Sequence, residues 1–489
     1  MTDDNIGESA KKGIAWTASA QIVKQFLDFG IGIAMARLLM PSDFGVVSAS
    51  MIFFSFISIL TSFGFAPAIV QRPEIDDKYL NTAQTICVVF GVISTLTMVL
   101  CAGLIGSVFR NQTIGEVIPL MSINFLISSF SIVPTALLTR HLYFSKLTAA
   151  SIISSVFYGA VAIGMAVFGF GVWSLIVGSV VSVFINAVLL SYFASYFPKF
   201  CFNRKYCGEI WSFGGAITIS SLFNHIARNA DNFIIGRYLG PEALGFYSRA
   251  YNLATIPKEM TVSIFGSVLF PSFARMQGNI IRQSDAYFKS INAIVLVTFP
   301  MSLILLISAP ELVDFVYGAK WANSILPLRI LSLAGFVYTL YAPCTSLLLG
   351  SGKIRAYTIL QIIYSSGTVF AVLFTYNQGI SCVAFAVSIV IIVSWIAYLI
   401  AVHKIFVFKI SAYWKSSKAA VFGTLYMSSA MLLTKYLISI YFINEYLVIF
   451  SELSVAALTY IYYLLKSGDE VCMELKNLIC DKFSFINIK

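Results

Sequence analysis

The chain is an almost unbroken succession of apolar stretches, separated by short segments rich in charge, Gly and Pro. Fourteen of the stretches are long enough to cross about 30 Å of hydrocarbon as a helix, which takes roughly 20 residues. Only 11% of the residues are charged, and the mean hydropathy is +0.86. This combination excludes an ordinary water-soluble protein. We therefore predict an all-α integral membrane protein with about 14 transmembrane helices.

The bounds of the predicted spans are approximate, because sequence patterns place helix ends only to within a few residues. The spans are 14–39, 44–70, 80–109, 114–138, 147–168, 171–197, 208–238, 244–274, 285–318, 324–349, 355–376, 380–402, 413–440 and 446–465.

One pattern of thirteen residues occurs twice, at 36–48 and again at 236–248. Each copy joins the end of one apolar stretch to the start of the next. The residues shared at identical spacing are Arg37 and Arg237, Leu39 and Leu239, Pro41 and Pro241, Gly45 and Gly245, and Ser48 and Ser248. Further similar stretches follow in the same order, at 118–120 with 326–328 and at 134–138 with 343–347. Such internal duplication is typical of transporters built from two related halves.

The two copies are six predicted helices apart, and an even offset gives both halves the same orientation in the membrane. We therefore expect parallel repeats related by an axis along the membrane normal. Residues 1–200 are predicted to form the first six-helix lobe and 201–408 the second. Residues 409–489 have no counterpart in the first lobe, so we expect two additional helices and a charged tail there.

The positive charges predict the orientation, because Lys and Arg collect on cytoplasmic flanks. With both termini placed inside, most of the 32 Lys and Arg fall on inner flanks. The outer flanks keep only Arg37, Arg110, Arg237, Lys320 and Lys435. Both termini are therefore expected to be cytoplasmic. This topology accounts for the net charge of +10, so the charge does not call for a nucleic-acid partner.

Ionisable groups at membrane depth are costly, which makes them candidates for a transport pathway. The first helix carries Lys24 and Asp28, and the seventh carries Arg228 and Asp231. Asp28 and Arg228 each lie about 13 Å inward of the repeated arginine of their own half. One interpretation is that both helices line a lumen. The other is that Lys24 pairs with Asp28, and Arg228 with Asp231, on the surface of a single helix.

The eighth predicted helix adds Arg249, Lys258 and Glu259, the last two directly after Pro257, which loosens a helix. Arg329 in the tenth helix completes five cations at membrane depth, against the three carboxylates Asp28, Asp231 and Glu259. The excess of positive charge fits a lumen for an anionic head group such as a phosphate or diphosphate. Alternatively, Arg249 and Arg329 lie near the outer ends of their helices and extend to water.

Several tyrosines and a phenylalanine lie near the proposed lumen, namely Phe246, Tyr247, Tyr251 and Tyr338. They could stack on sugar faces, or they could serve only in packing and interfacial belts. Residues 350–353 lack the spacing of a phosphate-binding loop, and the eight cysteines match no zinc pattern. No catalytic constellation stands on a long outer loop. We therefore expect no enzyme activity, no cofactor and no metal.

Three stretches resemble a known family: residues 36–45, 236–241, and 316–321 leading into 326–331. They are similar to Wzx-type polysaccharide flippases, in the colanic-acid and teichuronic-acid exporter group of the multidrug/oligosaccharidyl-lipid/polysaccharide superfamily. The resemblance covers essentially the whole chain. It implies two six-helix lobes that form a V in a bacterial inner membrane.

The resemblance also implies a function. An undecaprenyl-diphosphate-linked oligosaccharide would be carried from the cytoplasmic to the periplasmic leaflet by alternating access, coupled to H⁺ or Na⁺. Besides this substrate and membrane lipids, a polysaccharide polymerase or assembly protein is an expected partner. The family provides no short signature for the site, so the candidate residues rest on depth and charge. The alternative function is a cation-coupled exporter of drugs or metabolites on the same fold.

Overall fold

The computed structural model describes most of the chain and is helical throughout the described part, with no strand there. The residues described are 3–62, 69–70, 72, 75–199, 201, 203, 206, 225, 228–406, 408, 410–441 and 445–467. Contacts divide the chain into two compact units, Met1–Gly245 and Phe246–Lys489. The predicted lobe boundaries at residues 200 and 408 rest on the repeat and stay a prediction.

The first unit contains seven long described helices and a further helical segment at 228–238. The helices are α1 (Asp3–Leu38), α2 (Pro41–Ser62), α3 (Asp77–Val108), α4 (Gln112–Ser129), α5 (Ile132–Arg140), α6 (Phe144–Val167) and α7 (Val172–Ala194). Helix α3 packs against α4, α6 packs against α7, and α1 packs against α6. The next helix, α8 (Gly240–Ala254), begins in this unit and continues into the second.

The second unit continues from α8 with nine more α-helices. They are α9 (Ile256–Arg275), α10 (Ile280–Ile307), α11 (Ala309–Tyr317), α12 (Ile325–Thr339), α13 (Tyr341–Gly350), α14 (Ile354–Thr375), α15 (Ile380–Phe406), α16 (Ile410–Tyr441) and α17 (Glu445–Lys466). Helix α10 packs against both α12 and α16. The last two helices, α16 and α17, pack against each other, and α17 also packs against α11, so the additional pair joins the second unit through α10 and α11.

Short polar side chains begin several of these helices. The Asp76 carboxylate accepts a hydrogen bond from the backbone N–H of Tyr79 at the start of α3. The Asn111 side chain likewise accepts a hydrogen bond from the backbone N–H of Ile114 at the start of α4. The Asn279 side chain accepts one from the backbone N–H of Arg282 at the start of α10. These caps satisfy backbone donors that lack partners within the helix.

Among the described residues, ten helical spans are long and apolar enough to cross a membrane, or eleven when the bent pair α4 and α5 counts as one. Each of the eleven coincides with one of the fourteen predicted spans. The first, seventh and eighth predicted spans are not among them. Of these, 208–238 lies largely outside the described residues. The prediction of an all-helical, multi-pass membrane protein is confirmed.

The fourth predicted span is not one straight helix. It divides into α4 and α5, which are bent by 41° to each other. The corresponding span of the second half divides into α12 and α13. Pro134 and Pro343 occupy matching positions in the two halves of the sequence. Each is the third residue of the helix that follows the break, α5 and α13 respectively. A proline fits there because the first residues of a helix need no N–H donor.

Candidate functional site

The two copies of the repeated loop form matching helix starts. Pro41 is the first residue of α2, and the Asp43 carboxylate accepts a hydrogen bond from the backbone N–H of Met40 at 2.9 Å. The N–H of Asp43 donates in return to the Met40 carbonyl. In the second copy, Gly240 has a φ of +88° directly before Pro241. Proline at the helix start and a capping carboxylate explain why the sequence turns at this point.

The two copies also contact each other. A β-carbon placed on Gly45 would lie 1.6 Å from the carbonyl oxygen of Pro241, and one on Gly245 would lie 1.9 Å from that of Pro41. The contact is reciprocal, so the repeated glycine of each copy meets the repeated proline of the other. Only glycine leaves room for a backbone at this distance. The repeat therefore encodes a close crossing of two helix starts.

The predicted pair on the first helix is present. Lys24 Nζ lies 2.6 Å from Asp28 Oδ2, and the two side chains are 22% and 42% exposed. The structure thus contains the pairing on one helix face that the second interpretation expected. That these residues line a lumen stays a prediction.

The seventh predicted helix is described only in part. Arg228 is exposed, and Asp231 is 5% exposed. The Asp231 carboxylate accepts a hydrogen bond from the backbone N–H of Asn232 at 2.8 Å. His225 Nε2 lies 3.0 Å from the carbonyl oxygen of Ile52, which connects this segment to α2. The role of Arg228 and Asp231 in transport stays a prediction.

In the second unit, Arg249 lies on α8 and donates a hydrogen bond to the side chain of the buried Tyr317, on α11. Arg329 is exposed, in the second turn of α12, and Glu259 is exposed, in the first turn of α9. That these three side chains contribute to a lumen stays a prediction.

The sequence predicts one helix loosened at Pro257, and the structure has two helices with a break beside Lys258. Helix α8 ends at Ala254 and α9 begins at Ile256, with Pro257 in its first turn. The Lys258 ammonium lies 4.0 Å from the centroid of the Tyr338 ring on α12. A cation over the face of a tyrosine is attracted by the quadrupole of the ring. The break thus directs a cation onto one of the tyrosines that the sequence singled out.

Tyr338 belongs to a larger aromatic cluster in the second unit, formed with Tyr341, Tyr364 and Tyr398. The rings of Tyr338 and Tyr341 stack at a centroid distance of 5.0 Å. Tyr364 contacts both of them, and Tyr398 contacts Tyr341. The Tyr341 hydroxyl donates to the Ile391 carbonyl at 2.8 Å, which fixes the cluster to α15. We call Lys258 and these four tyrosines the lysine–tyrosine cluster.

A close helix contact sets the position of this cluster. A β-carbon on Gly335 would lie 2.4 Å from the carbonyl oxygen of Ala254, so α12 and the end of α8 approach to backbone distance. Tyr338 lies three residues after Gly335, and Lys258 lies four residues after Ala254. The spacing of three places Tyr338 on the side of α12 that carries Gly335, and Lys258 follows Ala254 directly across the break between α8 and α9. The small residue at 335 therefore brings the ring and the ammonium together.

Sequence reasoning identified both members of the Lys258–Tyr338 contact, but as separate candidates. The eight candidate charges divide between the units, with Lys24, Asp28, Arg228 and Asp231 in the first and the others in the second. Sequence reasoning also missed a buried charge cluster on the additional helices, around Glu452. A sequence feature that could have pointed to this cluster is Glu452 itself, an isolated glutamate inside the apolar span 446–465.

This arrangement of long apolar helices defines a multi-pass membrane protein with the fold of known transporters. The whole fold is similar to a solved structure titled lipid II flippase MurJ, inward closed conformation, with a TM-score of 0.75, at 14% identity, covering 95% of this chain and 99% of that one. An inward-facing multidrug resistance MATE family transporter of the MOP superfamily has a TM-score of 0.64 at 17% identity, with coverages of 83% and 99%. At these identities the likeness concerns the fold.

The chain belongs to the polysaccharide biosynthesis protein family, which matches residues 34–326. Lipopolysaccharide biosynthesis protein WzxC of Escherichia coli (strain K12) is 28% identical over 359 residues, 72% of each chain. Teichuronic acid biosynthesis protein TuaB of Bacillus subtilis (strain 168) is 27% identical over 61% of this chain and 62% of its own length. Succinoglycan biosynthesis transport protein ExoT of Rhizobium meliloti (strain 1021) is 24% identical, with coverages of 71% and 69%. The resemblance expected from the sequence is confirmed.

Proposed function

We propose that this protein moves a lipid-linked oligosaccharide from one leaflet of a membrane to the other during polysaccharide biosynthesis. Three curated relatives are named for polysaccharide biosynthesis, and one of them for transport. The MurJ structure, which is titled as a lipid II flippase, has the same fold. The family and the fold thus support translocation, and we propose a transporter rather than an enzyme.

The observation that carries the proposal for the site is the Lys258 ammonium 4.0 Å from the Tyr338 ring centroid. A lipid-linked oligosaccharide has an anionic phosphate group next to sugar rings. An ammonium offers a point charge to the phosphate, and a tyrosine offers a flat face and a hydroxyl to the sugar. We propose that Lys258 and Tyr338, the two half-buried members of the lysine–tyrosine cluster, contact this junction of the substrate, and that the buried Tyr341, Tyr364 and Tyr398 hold the Tyr338 ring in place. Lys24, Arg228, Arg249 and Arg329 would supply the remaining positive charge.

The finer proposal concerns the carrier, the direction and the energy source. The carrier would be undecaprenyl diphosphate, moved from the cytoplasmic to the periplasmic leaflet of a bacterial inner membrane, with both termini of the protein in the cytoplasm. Alternating access would be coupled to H⁺ or Na⁺, with Asp28, Asp231 and Glu259 as candidate coupling carboxylates. A polysaccharide polymerase would take the product. The basic inner flanks and the family resemblance support these points.

Reconstitution into liposomes tests the proposal. A fluorescent lipid-linked oligosaccharide is incorporated, and its transfer between leaflets is followed with a membrane-impermeant quencher. We expect wild-type protein to accelerate transfer over protein-free liposomes. We expect Lys258→Gln to slow it about tenfold, which corresponds to about 1.4 kcal/mol. Lys415→Gln is the matched control, since Lys415 is exposed on α16.

Two outcomes would count against different parts of the proposal. Wild-type protein that leaves transfer at the protein-free rate would contradict translocation of this cargo. Equal rates for wild type and Lys258→Gln would contradict the role of the lysine–tyrosine cluster alone. Drug efflux in a sensitised strain, without any effect on surface polysaccharide, would favour the exporter alternative.

A further inference from the structure

Three ionisable side chains from three helices meet at one end of the second unit. Lys435 Nζ, on α16, lies 2.7 Å from Glu311 Oε1, on α11, and 3.7 Å from Glu452 Oε1, on α17. The two carboxylate oxygens are therefore no more than 6.4 Å apart, the two distances together. We call Glu311, Lys435 and Glu452 the carboxylate cluster. Two of its members belong to the additional helices that lack a counterpart in the first half.

Glu452 is the most enclosed of the three. Its side chain is 0% exposed, compared with 14% for Glu311 and 28% for Lys435. The hydroxyl of Ser308 donates a hydrogen bond to Glu452 Oε2. Glu452 Oε1 is buried and has no hydrogen-bond partner in the described part of the chain. A buried carboxylate oxygen without a donor is unusual, because burial removes the water that would otherwise solvate it.

The positive charge in the cluster is already engaged elsewhere. Lys435 pairs at 2.7 Å with Glu311 and donates a second hydrogen bond to the Ile307 carbonyl at 3.2 Å. Lys435 acts on Glu452 through its positive charge and a long contact of 3.7 Å, Glu311 acts through its like charge, and Ser308 is the neutral partner. One ammonium faces two carboxylates, so the fully ionised cluster keeps one negative charge.

That remaining charge lies within an apolar helix. Helix α17 begins at Glu445, and Glu452 follows seven residues later, roughly 10 Å along the axis. An uncompensated charge in such surroundings is strongly disfavoured. A metal cation would need several oxygen ligands, but the Lys435 ammonium already occupies the position between the carboxylates. A proton removes the charge and needs no additional space.

We propose that Glu452 is a proton-binding site, with the proton on Oε1. Water supplies the proton and Oε1 becomes an O–H donor, while Oε2 continues to accept from Ser308. The other carboxylate of the cluster also has a buried oxygen without a hydrogen-bond partner among the described residues, Glu311 Oε2. The protonated state holds α16 and α17 against the corner between α10 and α11. Release of the proton places a second, unbalanced carboxylate there and weakens this attachment.

The site is separate from the three candidate coupling carboxylates and does not depend on which cargo the protein carries. It assigns a role to the additional helices, since α16 supplies the cation and α17 supplies the proton-binding group. The link between proton binding and helix attachment follows from the charge count and from the burial of Glu452.

Infrared spectroscopy of the purified full-length protein tests the site directly. A protonated carboxyl has a C=O stretching band that an ionised carboxylate lacks. We expect wild-type protein at neutral pH to show such a band, and Glu452→Gln to lack it. Glu116→Gln, which changes an exposed glutamate of α4, is the matched control and should leave the band unchanged. Identical carboxyl spectra for wild type and Glu452→Gln would overturn the proposal.

Thermal unfolding at different pH values provides a second test. A proton bound in the folded state is lost as the pH rises, so the folded protein loses stability toward alkaline pH. Glutamine at 452 cannot ionise. The unfolding temperature of wild type should therefore fall further than that of Glu452→Gln as the pH is raised. Parallel curves, or wild-type stabilisation by Na⁺ at constant pH that Glu452→Gln abolishes, would overturn the assignment of a proton.

Discussion

The carbonyl oxygen of Pro241 lies 1.6 Å from the position that a β-carbon on Gly45 would occupy. The equivalent contact, between Gly245 and Pro41, has the same form. The residues that repeat in the sequence are thus the residues that touch.

Gly45→Ala should destabilise the protein, because the added methyl group would overlap backbone atoms that cannot move independently. We expect a loss of about 1–3 kcal/mol, the range typical of overpacking. Gly30→Ala is the control, since a β-carbon at Gly30 meets no atom within 4 Å. Thermal unfolding of the purified protein measures both changes. An unchanged unfolding temperature for Gly45→Ala would contradict the close crossing.

Gly335→Ala should separate α12 from the end of α8, because its methyl group would meet the Ala254 carbonyl oxygen at 2.4 Å. We expect the transfer rate in liposomes to fall toward that of Lys258→Gln, since Tyr338 would move away from Lys258. The double variant should lose little more than either single one. Gly103→Ala, at a position with no atom within 4 Å of the added carbon, should transfer normally. Fully additive losses would show that the two sites act separately.

Lys24→Gln should change stability little. Its ion pair with Asp28 is partly exposed, and such i, i+4 pairs contribute about 0.3–0.5 kcal/mol. A fall in the transfer rate without a fall in the unfolding temperature would therefore support a position along the substrate pathway. If both Lys24→Gln and Asp28→Asn transfer the substrate at the wild-type rate, the ion pair does not contribute to the substrate pathway and belongs only to the helix surface.

The start of α3 should respond to acid. Partial desolvation would raise the pKa of Asp76, but hydrogen bonds from the Tyr206 hydroxyl and the Tyr79 N–H, with Arg72 nearby, hold it below its usual value. The stability that this carboxylate contributes is present above the ordinary Asp pKa and is lost as the pH falls through the lowered pKa.

Tyr206→Phe removes one of those hydrogen bonds. We expect this variant to unfold at a lower temperature than wild type at neutral pH, and the difference to shrink below about pH 4, where the carboxyl group takes up a proton. Tyr143→Phe, on an exposed tyrosine, is the control. A difference that is independent of pH would show that Tyr206 acts through packing and not through Asp76.

The sequence by itself determined the class of the protein and much of its organisation. Apolar length predicts membrane spans because backbone groups in hydrocarbon must be satisfied within a helix. Local rules also offered the Lys24–Asp28 pair as one of two interpretations and predicted a loosened helix at Pro257, since both depend on residues within one helical turn. The duplication was visible because its marker residues keep their spacing.

Only the tertiary structure decided which distant residues meet. Lys258 and Tyr338 are 80 positions apart, and Ser308 and Glu452 are 144 positions apart. In a helix that is apolar on nearly every side, the sequence gives the depth of a residue but not the direction in which its side chain points. Packing fixes that direction, through backbone contacts such as the one between Gly335 and Ala254. For this reason depth and charge found Lys258 and could also have found Glu452, whereas the meeting of Glu311, Lys435 and Glu452 from three helices was visible only in the tertiary structure.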